Sequence, residues 1–304
     1  MRKFIKKKLF YYVITAVTLL LIYNYSGLKT SNSNNQNNVA KNKLTGIEIE
    51  FIDVGQADSA LITLENGTTF LIDGGDVVTQ DELVRHLKDK NLEKIDYVIA
   101  THPHADHIGG LDNVLNEFEV GQIILPKIHE SDIPTTIVYD NLLDAIDYNG
   151  CEVKRAMGGL TIYSDQDCTL KCLAPNQDNY ASLNDYSAII KVEYGEFEAI
   201  FMGDAEDDLE DELANLNVNL QADVLKVAHH GSATATSYNI LNKVKPQYAI
   251  ISVNEDNEYD HPHSDTLERL GESGAKVYRT DYCGNITITS DKKNINISTE
   301  KEEF

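Results

Sequence analysis

Thr101-His102-Pro103-His104-Ala105-Asp106-His107-Ile108-Gly109-Gly110 is the stretch on which the reading of this chain turns. Three of the nine histidines fall within these residues, directly after IDYVIAT (95–101), an apolar run of strand length. Functional groups collect at strand ends in α/β folds. On an extended segment, His-x-His spacing points both imidazoles the same way. Asp106 and His107 follow at a turn into a helix, so they approach from another angle. One short loop thereby offers donors to two neighbouring ions, and imidazole with carboxylate suits zinc, manganese or iron. Pro103 stiffens the loop. Gly109 and Gly110 are expected to let the backbone turn tightly.

A single loop cannot enclose two ions, and other strand ends supply the remainder. FMGDAED (201–207) places Asp204 after an apolar strand, where a carboxylate can bridge cations ~3.5–4 Å apart. The simpler role for Asp204 is the N-cap of the helix that follows. VLKVAHHGS (224–232) puts His229 and His230 at another strand end, and YAIISVNEDNEYDHPHSD (248–265) puts His261 and His263 after a third. Only His86 and His129 lie elsewhere, and they read as surface or loop residues.

From this centre the pattern extends in both directions. Strands are predicted at 48–55, 59–64 and 68–75, with Asn66-Gly67 as a hairpin turn between the last two. Helices are expected at 79–90, 106–118, 135–148, 205–216, 237–244 and 264–271. They alternate with strands at 95–101, 121–126, 222–228, 247–253 and 275–279, and further strands fall at 151–156, 168–173, 187–194, 197–203, 285–290 and 294–298. Such alternation predicts an α/β fold, a four-layer αββα sandwich with two sheets face to face and helices on both outer faces.

The first residues stand apart. Arg2, Lys3, Lys6, Lys7 and Lys8 precede the uncharged run LFYYVITAVTLLLIY (9–23). At ~1.5 Å per residue that run covers ~22 Å, a marginal span of a ~30 Å hydrocarbon core. The expected organisation is an N-terminal membrane anchor or signal segment over 1–25, an Asn-rich linker over 26–44, and a folded domain over 45–304 that carries the histidine loop. Clustered positive charge stays inside, which places the domain outside the cytoplasm, either anchored or secreted after cleavage. The whole chain carries a net charge of −23, from 26 basic and 49 acidic residues. That balance disfavours non-specific binding to nucleic acid. Cys151, Cys168, Cys172 and Cys283 lack CxxC spacing, so disulfides or buried thiols are expected rather than a zinc finger.

THPHADHIGG, FLIDGG, FMGDAE, VLKVAHHGS and HPHSDTLERL followed by VYRTDYCGNITI resemble the metallo-β-lactamase superfamily. Within it, roughly 45–300 is similar to the lactamase-like domain of ComEC-type competence proteins, and also to phosphorylcholine esterases. The resemblance implies His102 and His104 on a first metal, Asp106, His107 and His261 on a second, and Asp204 as the bridge. His263 is the alternative to His261. It also implies that Asp73 orients the histidine loop. Class B β-lactamases lack the last His of HxHxDH, so His107 argues against dedicated antibiotic degradation. This chain departs from the family in one respect. No His stands at the matching place in Leu183-Asn184-Asp185-Tyr186-Ser187. The first metal therefore lacks a protein ligand, or takes Asp185, His229 or His230, and an octahedral ion such as manganese would accept water there.

The activity this implies is metal-dependent hydrolysis, with two divalent ions (Zn or Mn) lowering the pKa of a bridging water towards neutrality. His230 is expected beside the leaving group as acid or hydrogen-bond donor, or else as a metal ligand, and Ser232 either binds phosphate or caps a helix. The substrate expected first is a phosphodiester, nucleic acid included. A small or wall-linked ester such as phosphorylcholine, a lactone or thioester, and a non-catalytic binding module on the same scaffold are the other readings.

Overall fold

Ile47–Phe51 (β1), Ala60–Leu64 (β2) and Thr69–Ile72 (β3) form an antiparallel meander, as their alternation predicts. Gly67 turns the second hairpin at φ 89°, which a residue with a Cβ rarely adopts. The chain then changes to crossover connections. Gln80–Asp89 (α1) leads to Lys94–Ile99 (β4). Ala105–Ile108 (α2) and Leu111–Glu117 (α3) lead to Glu119–Pro126 (β5). Ile137–Asn149 (α4) leads to Glu152–Ala156 (β6). Strands β3 to β6 are consequently parallel neighbours. This computed structural model describes residues 44–302, which belong to one compact unit.

The second half builds the facing sheet. Thr161–Ser164 (β7), Cys168–Ala174 (β8), Ile189–Tyr194 (β9) and Phe197–Phe201 (β10) run antiparallel. Asp207–Asn215 (α5), Tyr238–Val244 (α6) and Ser264–Ser273 (α7) then connect β10 to the parallel strands Val224–Lys226 (β11), Tyr248–Ile251 (β12) and Lys276–Arg279 (β13). Thr280–Cys283 (α8) leads back to Ile286–Ser290 (β14) and Ile295–Thr299 (β15), which complete the first sheet. The orders are β15-β14-β1-β2-β3-β4-β5-β6 and β13-β12-β11-β10-β9-β8-β7.

Three apolar clusters make this four layers. Between the sheets, Ile49, Phe51, Ile62 and Phe70 meet Ile190, Val192, Phe197 and Phe201. The Phe51 and Phe201 rings stack 5.6 Å apart. Outside the first sheet, Leu83, Leu87, Val114 and Ile146 of the helices cover Leu71 and Val98. Outside the second, Leu209, Leu213, Ile240 and Leu270 cover Leu225 and Ile251. The expected αββα order is therefore the observed one. Cys168 and Cys172 face the same inner layer, and with Cys151 they carry free thiols.

Two sequence expectations change. The helix expected over 106–118 is two helices, α2 and α3, joined at Gly109-Gly110. Both glycines have negative φ, so tight turning is not their purpose. They allow close approach instead. A Cβ on Gly110 would collide with the Gly74 carbonyl oxygen, and one on Gly109 would stand 2.5 Å from Val77 N. The short β7 and α8 were not expected; with only Ile162 of β7 buried, its four residues carry too little pattern to read. The anchor expected over 1–25 and nearly all of the 26–44 linker lie outside the described residues. Among the described residues, no helix is long and apolar enough to cross a membrane.

Gly110→Ala is expected to destabilise the domain by about 2–3 kcal/mol through this overpacking. Gly67→Ala meets nothing within 4 Å and bears only its positive φ, at about 1 kcal/mol. Urea denaturation of the two variants checks the order.

Candidate metal centre

Asp73 is the anchor from which the histidine loop is hung. It follows β3, is buried, and holds positive φ. Its backbone N–H donates to Ile99 O at 2.8 Å, which fixes it to the end of β4. One carboxylate oxygen accepts Thr101 N at 2.7 Å; the other accepts Thr101 Oγ1 and faces His107 Nδ1, each at 2.8 Å. With Nδ1 turned to this acceptor, His107 Nε2 points at Asp204 Oδ1, 3.1 Å away.

Asp204 stands at the end of β10. Gly203, at φ 51°, passes close to Ser187, whose hydroxyl accepts Asp204 N at 3.0 Å. The helix after it begins at Asp207, with Glu206 in the N-cap position, so Asp204 caps nothing. Its two oxygens face different partners. Oδ2 lies 3.6 Å from His102 Nε2 and 3.8 Å from His229 Nε2. Oδ1 faces His107 Nε2 and, at 3.8 Å, His230 Nε2. His102 Nε2 and His104 Nδ1 are 3.1 Å apart, and His230 Nε2 is 3.3 Å from Asp106 Oδ2.

Two donor groups result, sharing Asp204. One is His102, His104 and Asp204; the other is Asp106, His107, His230 and Asp204, with donor atoms in each within 4.8 Å of one another. Asp204 Oδ1, His107 Nε2 and His230 Nε2 are buried and have no hydrogen-bond partner despite this crowding. Buried polar atoms are normally satisfied. Converging nitrogens and carboxylate oxygens without partners therefore fit divalent cations.

The charges agree with that fit. Burial and the neighbouring His107 push His102 well below the ordinary imidazole value, leaving it a neutral donor. Burial opposes a charge on His107, yet Asp204 and Asp73 hold its proton well above the usual range. Burial likewise opposes charge on Asp204, yet His107, His230 and His102 keep its carboxyl well below the usual range.

Of the residues expected at the site, His102, His104, Asp106, His107 and Asp204 come together, and His230 joins them as a donor. His261 lies outside both groups. It lines the cavity with its ring 6.3 Å from that of His230, and its Nδ1 faces Gln56 Nε2 at 3.4 Å. Burial and the His230, His229 and His263 rings push it down to about 4. His263 is occupied elsewhere, its Nδ1 accepting Ala233 N at 3.0 Å. Asp185 Oδ1 accepts Glu206 N at 2.9 Å and Leu209 N at 3.4 Å, so that oxygen serves the start of α5, and Asp185 belongs to neither donor group. Ser232 is not the N-cap of α6, which is Ser237; it closes the short 3-10 turn over Ala228–Gly231, and its hydroxyl meets Thr234 Oγ1 at 3.0 Å. His86 faces Glu50 at 3.1 Å and His129 faces Ser131 at 2.9 Å, both away from the centre.

Sequence reasoning missed Asp58, whose carboxylate accepts from buried Lys226 at 2.7 Å and stands 3.5 Å from His230 Nδ1. A cation interrupting the apolar run VLKVA was the available signal. It also missed Asn184 and Gln56, which line the cavity of about 360 Å³ above the donor groups. Glu210 was missed too. Its oxygens accept Thr236 N and Ser237 N, tying α5 to the segment that follows the two histidines.

Residues 52–142 match the family model "Metallo-beta-lactamase superfamily". ComE operon protein 3 of Bacillus subtilis (strain 168) is 30% identical over 256 residues, 79% of this chain and 32% of that protein. Competence protein ComA of Neisseria gonorrhoeae is 26% identical over 236 residues, 76% of this chain and 30% of that protein. The chain thus spans about a third of the length of these curated relatives. The crystal structure of CmlA, a diiron β-hydroxylase from Streptomyces venezuelae, superposes with a TM-score of 0.53 at 16% identity, over 81% of this chain and 54% of that one, which shows the fold alone.

Burial pushes Glu210 up to about 7, from 4.5 in an open chain. The folded state therefore holds this proton more tightly, and stability falls as pH rises from about 4.5 to 7. Glu210→Gln cannot ionise. Its amide loses one backbone donor, so the variant is less stable throughout, but the pH slope flattens by about 1–3 kcal/mol. Denaturation with chelator present, at pH 5 and pH 8, reads the slope.

Proposed function

From a chain that carries a metallo-β-lactamase superfamily domain, we propose a dinuclear metal-dependent hydrolase that cleaves phosphodiester bonds. The observation that carries this reading is the sharing of Asp204 by two donor groups whose buried atoms lack other partners. His102, His104 and Asp204 would hold one ion, and Asp106, His107, His230 and Asp204 the other. Divalent ions bound there would supply a water acidic enough to ionise near neutral pH and would neutralise phosphate oxygens. The protein's own part is to bury the donors and hold them fixed. Asp73 holds His107 by Nδ1, and Ser252 O holds His230 by Nδ1 at 2.9 Å, so both present Nε2 inward. His261, neutral and on the cavity wall, faces the substrate rather than the ions.

Two observations bear on substrate size. A relative named as a competence protein supports a phosphodiester of nucleic acid. The exposed residues Glu255, Asp256, Glu258 and Asp260 beside Tyr259, a residue of the cavity lining, support a small phosphodiester over a long polyanion.

Purified full-length protein is expected to contain divalent metal and to hydrolyse bis-p-nitrophenyl phosphate with manganese or zinc, losing the activity to a chelator. Cleavage of single-stranded DNA but not p-nitrophenyl phosphorylcholine supports the nucleic-acid reading; the reverse supports the small ester. No turnover on any of them with metal bound overturns the hydrolase. Asp204→Asn should lower both metal content and rate, by more than the ~10–100-fold that loss of a supporting contact costs.

Residues 1–25 would tether this domain outside the cytoplasm, on the strength of the basic cluster at 2–8 and the apolar run at 9–23. Release of the protein from membranes by alkaline carbonate would rule out an uncleaved anchor.

A further inference from the structure

Resting on the two-ion reading above, we infer that His229 is a ligand of the ion held by His102 and His104, with Glu206 orienting its imidazole. Among the described residues that ion's group offers three donors, His102, His104 and Asp204. Asp185 is engaged at the start of α5, and His230 Nε2 faces Asp106 and the other oxygen of Asp204. His229 Nε2 lies 3.8 Å from Asp204 Oδ2, the same oxygen that His102 Nε2 faces at 3.6 Å. Adjacent donors on one ion with bonds of about 2.0–2.1 Å sit roughly 3.3 Å apart in a tetrahedron; both nitrogens stand within tenths of an ångström of that spacing from Asp204 Oδ2, while His229 lies outside the 4.8 Å donor group and would close on His102 and His104 as the ion binds.

The other ring nitrogen supports the assignment. His229 Nδ1 is 3.2 Å from Glu206 Oε1, and Glu206 is held in turn by Thr234 Oγ1 at 2.9 Å. A carboxylate that accepts Nδ1–H leaves the Nε2 lone pair free for a metal. His107 and His230 follow the same plan, with Nδ1 on Asp73 and on Ser252 O respectively. At His229 the plan is looser: its Nδ1 faces the Glu206 carboxylate as an ion pair at 3.2 Å and the Asn184 amide Nδ2 at 3.5 Å.

The backbone explains how one dipeptide serves both oxygens of Asp204. His229 and His230 both have positive φ, 46° and 50°. Their successive side chains diverge, one towards Oδ2 and one towards Oδ1. His229 N donates to Gly203 O at 3.0 Å, tying this turn to the strand end that bears Asp204. Its side chain is 24% exposed, on the cavity side of the group.

Cobalt(II) titration of the metal-free full chain, read by visible absorption and by metal count, tests this. Wild type is expected to take up two ions. His229→Gly, chosen because glycine accepts the positive φ, should bind one of them at least tenfold more weakly, with loss of part of the absorption, and keep the other unchanged. Glu206→Gln should weaken the same ion several-fold. Two ions bound by His229→Gly at wild-type affinity, with an unchanged spectrum, overturn this inference and leave the two-ion reading standing. Wild type that takes up only one ion overturns both. Should His229→Gly lose both ions, Glu206→Gln decides: weakening of one ion supports the inference, and unchanged affinity for both overturns it.

Discussion

The carboxylate of Asp204 has almost no access to water, and a buried charge is tolerable only when it is compensated. His107 and His230, one from each of two strand-end segments, supply that compensation, and the rings of His102 and His229 face the same carboxylate. Much of the surrounding backbone answers to this requirement. Gly203 lets Asp204 approach Ser187, positive φ at 229 and 230 turns both rings inward, and Gly231 leaves room for Pro262. Each of these features is locally unfavourable or sterically restrictive, and each makes sense as the means of surrounding one buried group.

Much of this was legible in the sequence. The His-x-His-x-Asp-His loop, the apolar strands before each histidine, and the alternation of strands with helices dictated an αββα sandwich with its centre at strand ends. Asp73 was legible only through the resemblance of FLIDGG to the superfamily. What could not be read is which of several nearby imidazoles turns inward. His230 and His261 both follow strands, and only the φ of 50° and the Nδ1 contact with Ser252 O bring His230 into the donor group. Side-chain direction at a strand end depends on one or two dihedral angles that residue type does not fix.

The glycines after the loop teach a related lesson. Gly109-Gly110 suggests flexibility by composition, yet both occupy ordinary helical angles and serve contact with the 74–77 segment. The signal for that lay in a distant Gly74, which cannot be paired with them by inspection. The Lys226–Asp58 pair is similar. Its members are 168 positions apart, and a lysine inside an apolar strand announces a buried partner without naming it.

The donors also come from different sheets. His102, His104, Asp106 and His107 follow β4 of the first, and Asp204, His229 and His230 follow β10 and β11 of the second. Ions seated between them would clasp the two halves of the sandwich at one rim. Occupancy then contributes to folding itself: a ligand at a hundred times its dissociation constant adds about 2.7 kcal/mol to the native state. A cell that starves this protein of metal would thus remove part of the fold's own cohesion along with its chemistry, and expose the rim of the sheets to proteases.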